Sequence, residues 1–256
     1  MAPPYGNVHS HPNADTQTAI VTDNNDPAGL GRVQVKFAWQ EDNTPWIRMT
    51  NPHAGSGKGM YFIPEIGEEV LVAFEAGNAE KPFVLGTMYN GSESSSYATS
   101  GNDNKVIQSR SGTKIIMNDA QGSIFIEDPS GNTWMMDGQG NISVNAPNDI
   151  SITAGKNMSI SVGQNLSIDA GQDISEMAGE NKNLMVGAFH NINIGKNYLL
   201  NVMGSLLEIV KGNRESETSE RNEISKSALF STTEKSIEIN ASKSILKNSG
   251  EKSNLY

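Results

Sequence analysis

Six glycines recur at a spacing of eight residues, at Gly155, Gly163, Gly171, Gly179, Gly187 and Gly195. They open the units GKNMSISV, GQNLSIDA, GQDISEMA, GENKNLMV, GAFHNINI and GKNYLLNV. An eight-residue period cannot be helical, because 3.6 residues per turn would carry the glycine around the helix from unit to unit. It suits very short strands, each ending where the chain turns sharply at a glycine. The third, fifth and seventh residues after each glycine are mostly apolar, as in Met158, Ile160 and Val162, then Leu166, Ile168 and Ala170. The spacing of two points these side chains to one face and Ser159, Ser161, Ser167 and Asp169 to the other. Ile174, Ile192 and Ile194 continue the apolar set.

A strand unit with one apolar face cannot bury that face alone and must stack on others. Eight residues are too few for one chain to coil around a closed core. Three intertwined chains, each giving one side of a triangular prism per layer, need three inward residues in eight. The repeat therefore predicts an obligate homotrimer with Met158, Ile160, Val162, Leu166, Ile168, Ile174, Ile192 and Ile194 in its core. The alternative from the repeat alone is a single-chain solenoid.

Composition fits a thin assembly with much surface: only 36% of the 256 residues are hydrophobic, against about 45–50% in ordinary domains. The chain has no cysteine, which excludes disulfides, thiolate catalysis and cysteine-ligated metals. A net charge of −10 argues against nucleic acid or an anionic membrane as the main partner. No apolar run is long enough for a membrane-spanning helix, and the first residues, MAPPYGNVHSHPNADT, lack the features of a secretory signal peptide.

Before the repeats the pattern changes. AIVTD, GRVQVKFAW, WIRMTN, GMYFIP, EEVLVAFEAG and PFVLGTMYNG read as five or six short strands separated by Asn, Asp, Pro and Gly. A small β-barrel of the OB type is the simplest arrangement. A Ser/Gly-rich connector, Gly91 to Asp103, precedes hairpin-like stretches with Asp-Pro-Ser-Gly and Asp-Gly turns. The expected organisation is an N-terminal linker (1–14), an OB domain (15–91), a connector and β-hairpin neck (92–144), an octad-repeat triple-stranded β-helix (145–212) and a needle tip (213–256). The expected fold class is thus all-β.

DPAGLGRVQVKFAW, followed by PWIRMTNPHAGSGKGMYFIPEIGEEVLVAFEAGNAEKPFVLGTMYNG, resembles the OB domain of VgrG spike proteins of type VI secretion. Phage baseplates and extracellular contractile injection systems share that domain. SRSGTKIIMNDAQGSIFIED resembles the segment that follows it, and the glycine-marked octads resemble the family's triple-stranded β-helix needle. The resemblance implies a structural spike rather than an enzyme: a membrane-puncturing homotrimer without cofactors. It also implies a PAAR-type tip protein, an Hcp-type tube and hub, and secreted effectors as partners. Assembly would be cytoplasmic, with delivery outside the cell or into a target cell. Family members begin with a large hub domain, so this chain is expected to be an excised fragment or a short split spike subunit, without a fused effector.

Other classes remain open from residues alone: a β-solenoid enzyme degrading polysaccharides, or an OB-type binding module. No nucleophile–base pair stands out. Gly55-Ser56-Gly57-Lys58-Gly59 hints at a phosphate loop but lacks its first glycine and its Ser/Thr, so a barrel loop is expected. His9-Ser10-His11 and His190 are weak metal candidates, and no metal is expected. Glu176, Lys182 and His190 fall at inward phases of the repeat. Either they point inward, where uncompensated charge is expensive, or they turn out to solvent. After Gly195 the glycines slip by one, to Gly204 and Gly212, while Leu229, Ile237 and Ile245 keep a spacing of eight. Residues after Leu246 are expected to fray.

Overall fold

The computed structural model describes residues 13–246. The His9-Ser10-His11 candidate, most of the expected linker and the residues after Leu246 lie outside that range. The described chain is nearly all β and divides after Asn165 into two compact units.

In the first unit, strands β1 (Gln17–Asp23), β2 (Gln34–Phe37), β3 (Arg48–Met49), β6 (Glu69–Phe74) and β7 (Pro82–Thr87) form one sheet in the order β2-β1-β6-β7-β3. β3 pairs parallel with β7, and an antiparallel bridge between Val33 and Ile47 joins the two ends of the sheet, so it closes into a barrel. Alternation along the strands sends Ala19, Val21, Val33, Val35, Phe37, Ile47, Val70, Val72 and Val84 into its core. Compact β-branched side chains dominate, as a narrow barrel interior requires. The chain returning from β2 is held by Thr44, which is buried. Its N–H donates to the Val35 carbonyl at 2.8 Å, and its Oγ1 accepts the Val35 N–H at 3.0 Å.

One segment departs from the sequence reading. GMYFIP is not a strand: only Gly59 lies in one, the arm β5 (Lys58–Gly59) of a tight hairpin with β4 (Ala54–Gly55). Met60, Tyr61 and Phe62 are exposed and lie outside any strand, with only the Met60 N–H donating to the His53 carbonyl at 2.9 Å, while Ile63 packs on the core. Apolar content without a neighbouring strand does not make a strand. The same hairpin settles Gly55–Gly59 as a β-turn loop.

Strands β8 (Asn104–Gln108), β9 (Lys114–Asn118), β10 (Ser123–Glu127), β11 (Thr133–Met136) and β12 (Ile142–Asn145) form an antiparallel meander in chain order. Its last two turns repeat one chemistry. In Asp128–Asn132 and Asp137–Asn141 the aspartate accepts backbone N–H groups two and four residues on, and the asparagine amide donates back to it at 2.8 Å and 2.6 Å. Glycine completes each turn in the left-handed region, at φ 89° for Gly131 and 97° for Gly140.

Beyond Asn145 the described residues contain no strand and no backbone-to-backbone hydrogen bond. The chain bends at 155–156, 163–164, 171–172, 179–180, 187–188, 195–196, 203–204 and 211–212. The bends stay eight residues apart where the glycines slip, because Gly204 and Gly212 occupy the second residue of their bends. Further bends follow at 219, 226, 233–235 and 242–243. The shortened step from 219 to 226 moves the repeat by one residue. That shift brings Leu229 and Ile245 to the third position after their bends, and Ile237 to the fourth after the start of the bend at 233–235.

Candidate assembly surfaces

Three arrangements carry chemistry. The first is the loop entering β2. Asp26, with only 3% of its side chain exposed, receives Arg32 as a two-pronged fork: Nη2 at 2.7 Å on one oxygen and Nε at 2.9 Å on the other. It also accepts the backbone N–H groups of Ala28, Leu30 and Arg32. The Arg32 guanidinium, then these backbone donors, hold its carboxyl well below the usual carboxylate range despite desolvation. Gly31, at φ 68°, lets the backbone pass under Tyr61 and Ile63, whose side chains an added Cβ would approach at 3.2–3.3 Å. The Asp-Pro-x-Gly-x-Gly-Arg pattern is therefore a structural clasp.

The second is one face of the meander. The register aligns Ile107, Ile115, Ile126, Trp134 and Val144 in one row. A second row on the same face holds Met117, Ile124, Met136 and Ile142. Every residue in the two rows except the half-buried Ile124 is exposed. Single chains rarely expose contiguous apolar surface beyond about a few hundred Å² unless something covers it. Reading the sequence for hairpins missed this face. Its signal was the alternation in Ile115/Met117, Ile124/Ile126, Trp134/Met136 and Ile142/Val144.

The third is the octad stretch. Met158, Ile160, Val162, Leu166, Ile168, Ile174, Ile192 and Ile194 are all exposed in the single chain. Exposure nevertheless sorts by phase. Between 158 and 210, large apolar residues at the third, fifth and seventh positions after a bend never exceed 67% (Ile168, Leu184, Tyr198, Leu206). Those at the other phase never fall below 76% (Ile209) and include Met177, Met185 and Met203. One phase thus lies in a shallow concavity and the other on a ridge. The glycines Gly155, Gly163, Gly171, Gly179, Gly187 and Gly195 sit at the bends, but their φ values lie outside the left-handed region. A Cβ at any of them would touch nothing within the chain, so no contact within one chain requires glycine there.

Among the described residues no group of three or more His, Cys, Asp or Glu is arranged to hold a metal, and no helix is long and apolar enough to cross a membrane.

These features define an all-β chain in which a closed OB barrel precedes a pleated meander and an eight-residue repeat. Residues 17–89, which hold the barrel, match the type VI secretion system/phage-baseplate injector OB domain. The same region is similar to type VI secretion system spike proteins: VgrG5 of Pseudomonas aeruginosa, 39% identical over 87 residues (29% of this chain, 11% of the relative). VgrG1a of the same organism is 37% identical over 73 residues (26% and 11%). VgrG3 of Vibrio cholerae is 32% identical over 84 residues (30% and 8%). The matched stretch spans about a tenth of the length of these relatives.

Proposed function

We propose that the chain is a non-enzymatic, VgrG-like spike component of a contractile injection machine, working as a homotrimer. The injector-type OB barrel carries this reading, and the repeat downstream supports it. Residues 146–246 have unpaired backbone groups and a phase-sorted apolar stripe. Buried backbone must be hydrogen-bonded, so a stable form of this stretch requires partner strands, which two further copies supply. The stripe residues from Met158 to Ile194 then form the trimer core, and the bend glycines turn the corners of a triple-stranded β-helix. The exposed meander face would be covered in the same assembly, forming the neck between barrel and needle.

A stack of hydrogen-bonded layers around a dry core is stiff along its axis, which suits a needle that transmits force to a membrane. The tip, from residue 213 onward, would carry a PAAR-type protein. An Hcp-type tube and hub would stand behind the barrel, and effectors would travel with the spike. Assembly in the cytoplasm and export by the machine follow from this role. A phage-tail or extracellular contractile baseplate spike is the second reading, favoured by the shared OB domain family.

The test is a pull-down of a PAAR-type cap by the full chain and by a chain truncated after Gly212, with secretion measured alongside. The full chain should capture the cap. The truncated chain should remain soluble and trimeric but lose capture and secretion. Undiminished capture would move the docking surface away from residues 213–256.

A further inference from the structure

Two ion pairs in the repeat share one geometry. Glu176 stands at the fifth position after the bend at 171, and Lys182 at the third position after the next bend. Lys182 Nζ reaches Glu176 Oε2. Glu208 stands at the fifth position after the bend at 203, and Arg214 at the third position after the next. Arg214 Nε lies 3.3 Å from Glu208 Oε1. Each partner of the second pair is four repeats beyond its counterpart in the first. All four residues have the phase otherwise held by apolar side chains, and each carboxylate meets a cation across a single bend. From Met158 to Arg214, the only other ionisable residues at this phase are His190 and Tyr198.

We propose that these pairs form two charge-neutral ionic layers inside the three-chain needle, and that they fix the axial register of the copies. The proposal rests on the trimer reading given above. An octad repeat is nearly degenerate: a copy displaced by one repeat still places apolar residues against apolar residues. Ionic layers remove that degeneracy. In register, three carboxylates and three cations share one level. Displaced by one repeat, Glu176 would face Ile168 or Leu184 and its charge would be buried without a partner. A sparse polar position within an apolar seam sets register in coiled coils by the same logic, and here it acts on strands. A slip of four repeats would bring one layer level with the other but still leave the remaining charges unpaired.

The test uses the full chain, which has no native cysteine, carrying a nitroxide at the outward position Ser205→Cys. Mass in solution is measured first. A parent chain that is not a trimer defeats the reading beneath the proposal, which then falls with it. In a trimeric parent, dipolar spectroscopy should give one narrow distance. The single changes Glu208→Leu or Arg214→Leu should lower the trimer surviving a fixed denaturant concentration by roughly tenfold or more, since each leaves buried charge unpaired. The pair Glu208→Leu/Arg214→Leu should recover most of it. The fourfold variant, with Glu176→Leu and Lys182→Leu added, should stay trimeric but show additional longer distances from displaced copies. Harmless single changes would place the pairs on the surface and overturn the ionic layers. One narrow distance in the fourfold variant would overturn their role in register.

Discussion

Asp26 and Arg32 close the loop that enters β2 through a two-pronged contact at 2.7 Å and 2.9 Å. The aspartate also gathers three backbone donors, so it organises a turn as well as pairing a charge. Replacing it with alanine frees those donors and leaves Arg32 without its partner. Asp26→Ala should lower the unfolding midpoint of the barrel by roughly 5 °C or more, whereas the exposed Lys36→Ala should change it little. Thermal melts of the two variants followed by tryptophan fluorescence decide between a clasp and a surface pair.

Gly138 is fixed twice over. Its φ is 76°, and an added Cβ would overlap the backbone carbonyl oxygen of Gln121. Gly138→Ala should therefore destabilise the meander by roughly 2 kcal/mol. Gly86, with no positive φ and open space at its Cβ position, should accept alanine almost without effect. Denaturant midpoints of the two variants provide the comparison.

The meander turns should give acid sensitivity. The Ser130 hydroxyl, then the Asn132 amide, hold the Asp128 carboxyl down at about 2, and the Asn141 amide lowers Asp137. A carboxyl depressed on folding contributes stability that is complete above its unfolded value of about 3.9 and is lost as pH falls through the folded value. Stability of this region should decline between about pH 4 and about pH 2. The double change Asp128→Asn/Asp137→Asn should flatten that decline. Hydrogen exchange of the turn amides across the pH range would show it, and an unchanged slope would assign the acid response to other carboxylates.

Much of this was legible in the sequence because it is local. Alternation in QVKFAW and EEVLVAF announced β2 and β6, and the barrel core follows from their phase. The octad bends were legible because the glycine metronome is strict. Two things were not. GMYFIP carries strand composition, but whether a neighbour pairs with it is a non-local fact. The Glu208–Arg214 pair was hidden because the glycines slip by one at Gly204, which disguised the phase of both residues. Only the continued eight-residue spacing of the bends shows that they repeat the Glu176–Lys182 arrangement.

The phase of the stripe gives a paired test. Ile160→Asp or Ile168→Asp would bring three carboxylates together inside the needle, at several kcal/mol each before any pKa adjustment, roughly. Recovery of the assembled protein should collapse. Ser159→Asp and Ser167→Asp, on the ridge phase, should be mild. Equal tolerance at both phases, seen by size-exclusion yield, would mean that the stripe is not a core.

All of this depends on how many chains share the repeat. Light scattering of the purified chain at micromolar concentration measures it directly. A homotrimer gives a particle three times the chain mass of 27.5 kDa, persisting on dilution because intertwined strands must unravel before they separate. A folded monomer with a protected octad backbone would contradict it.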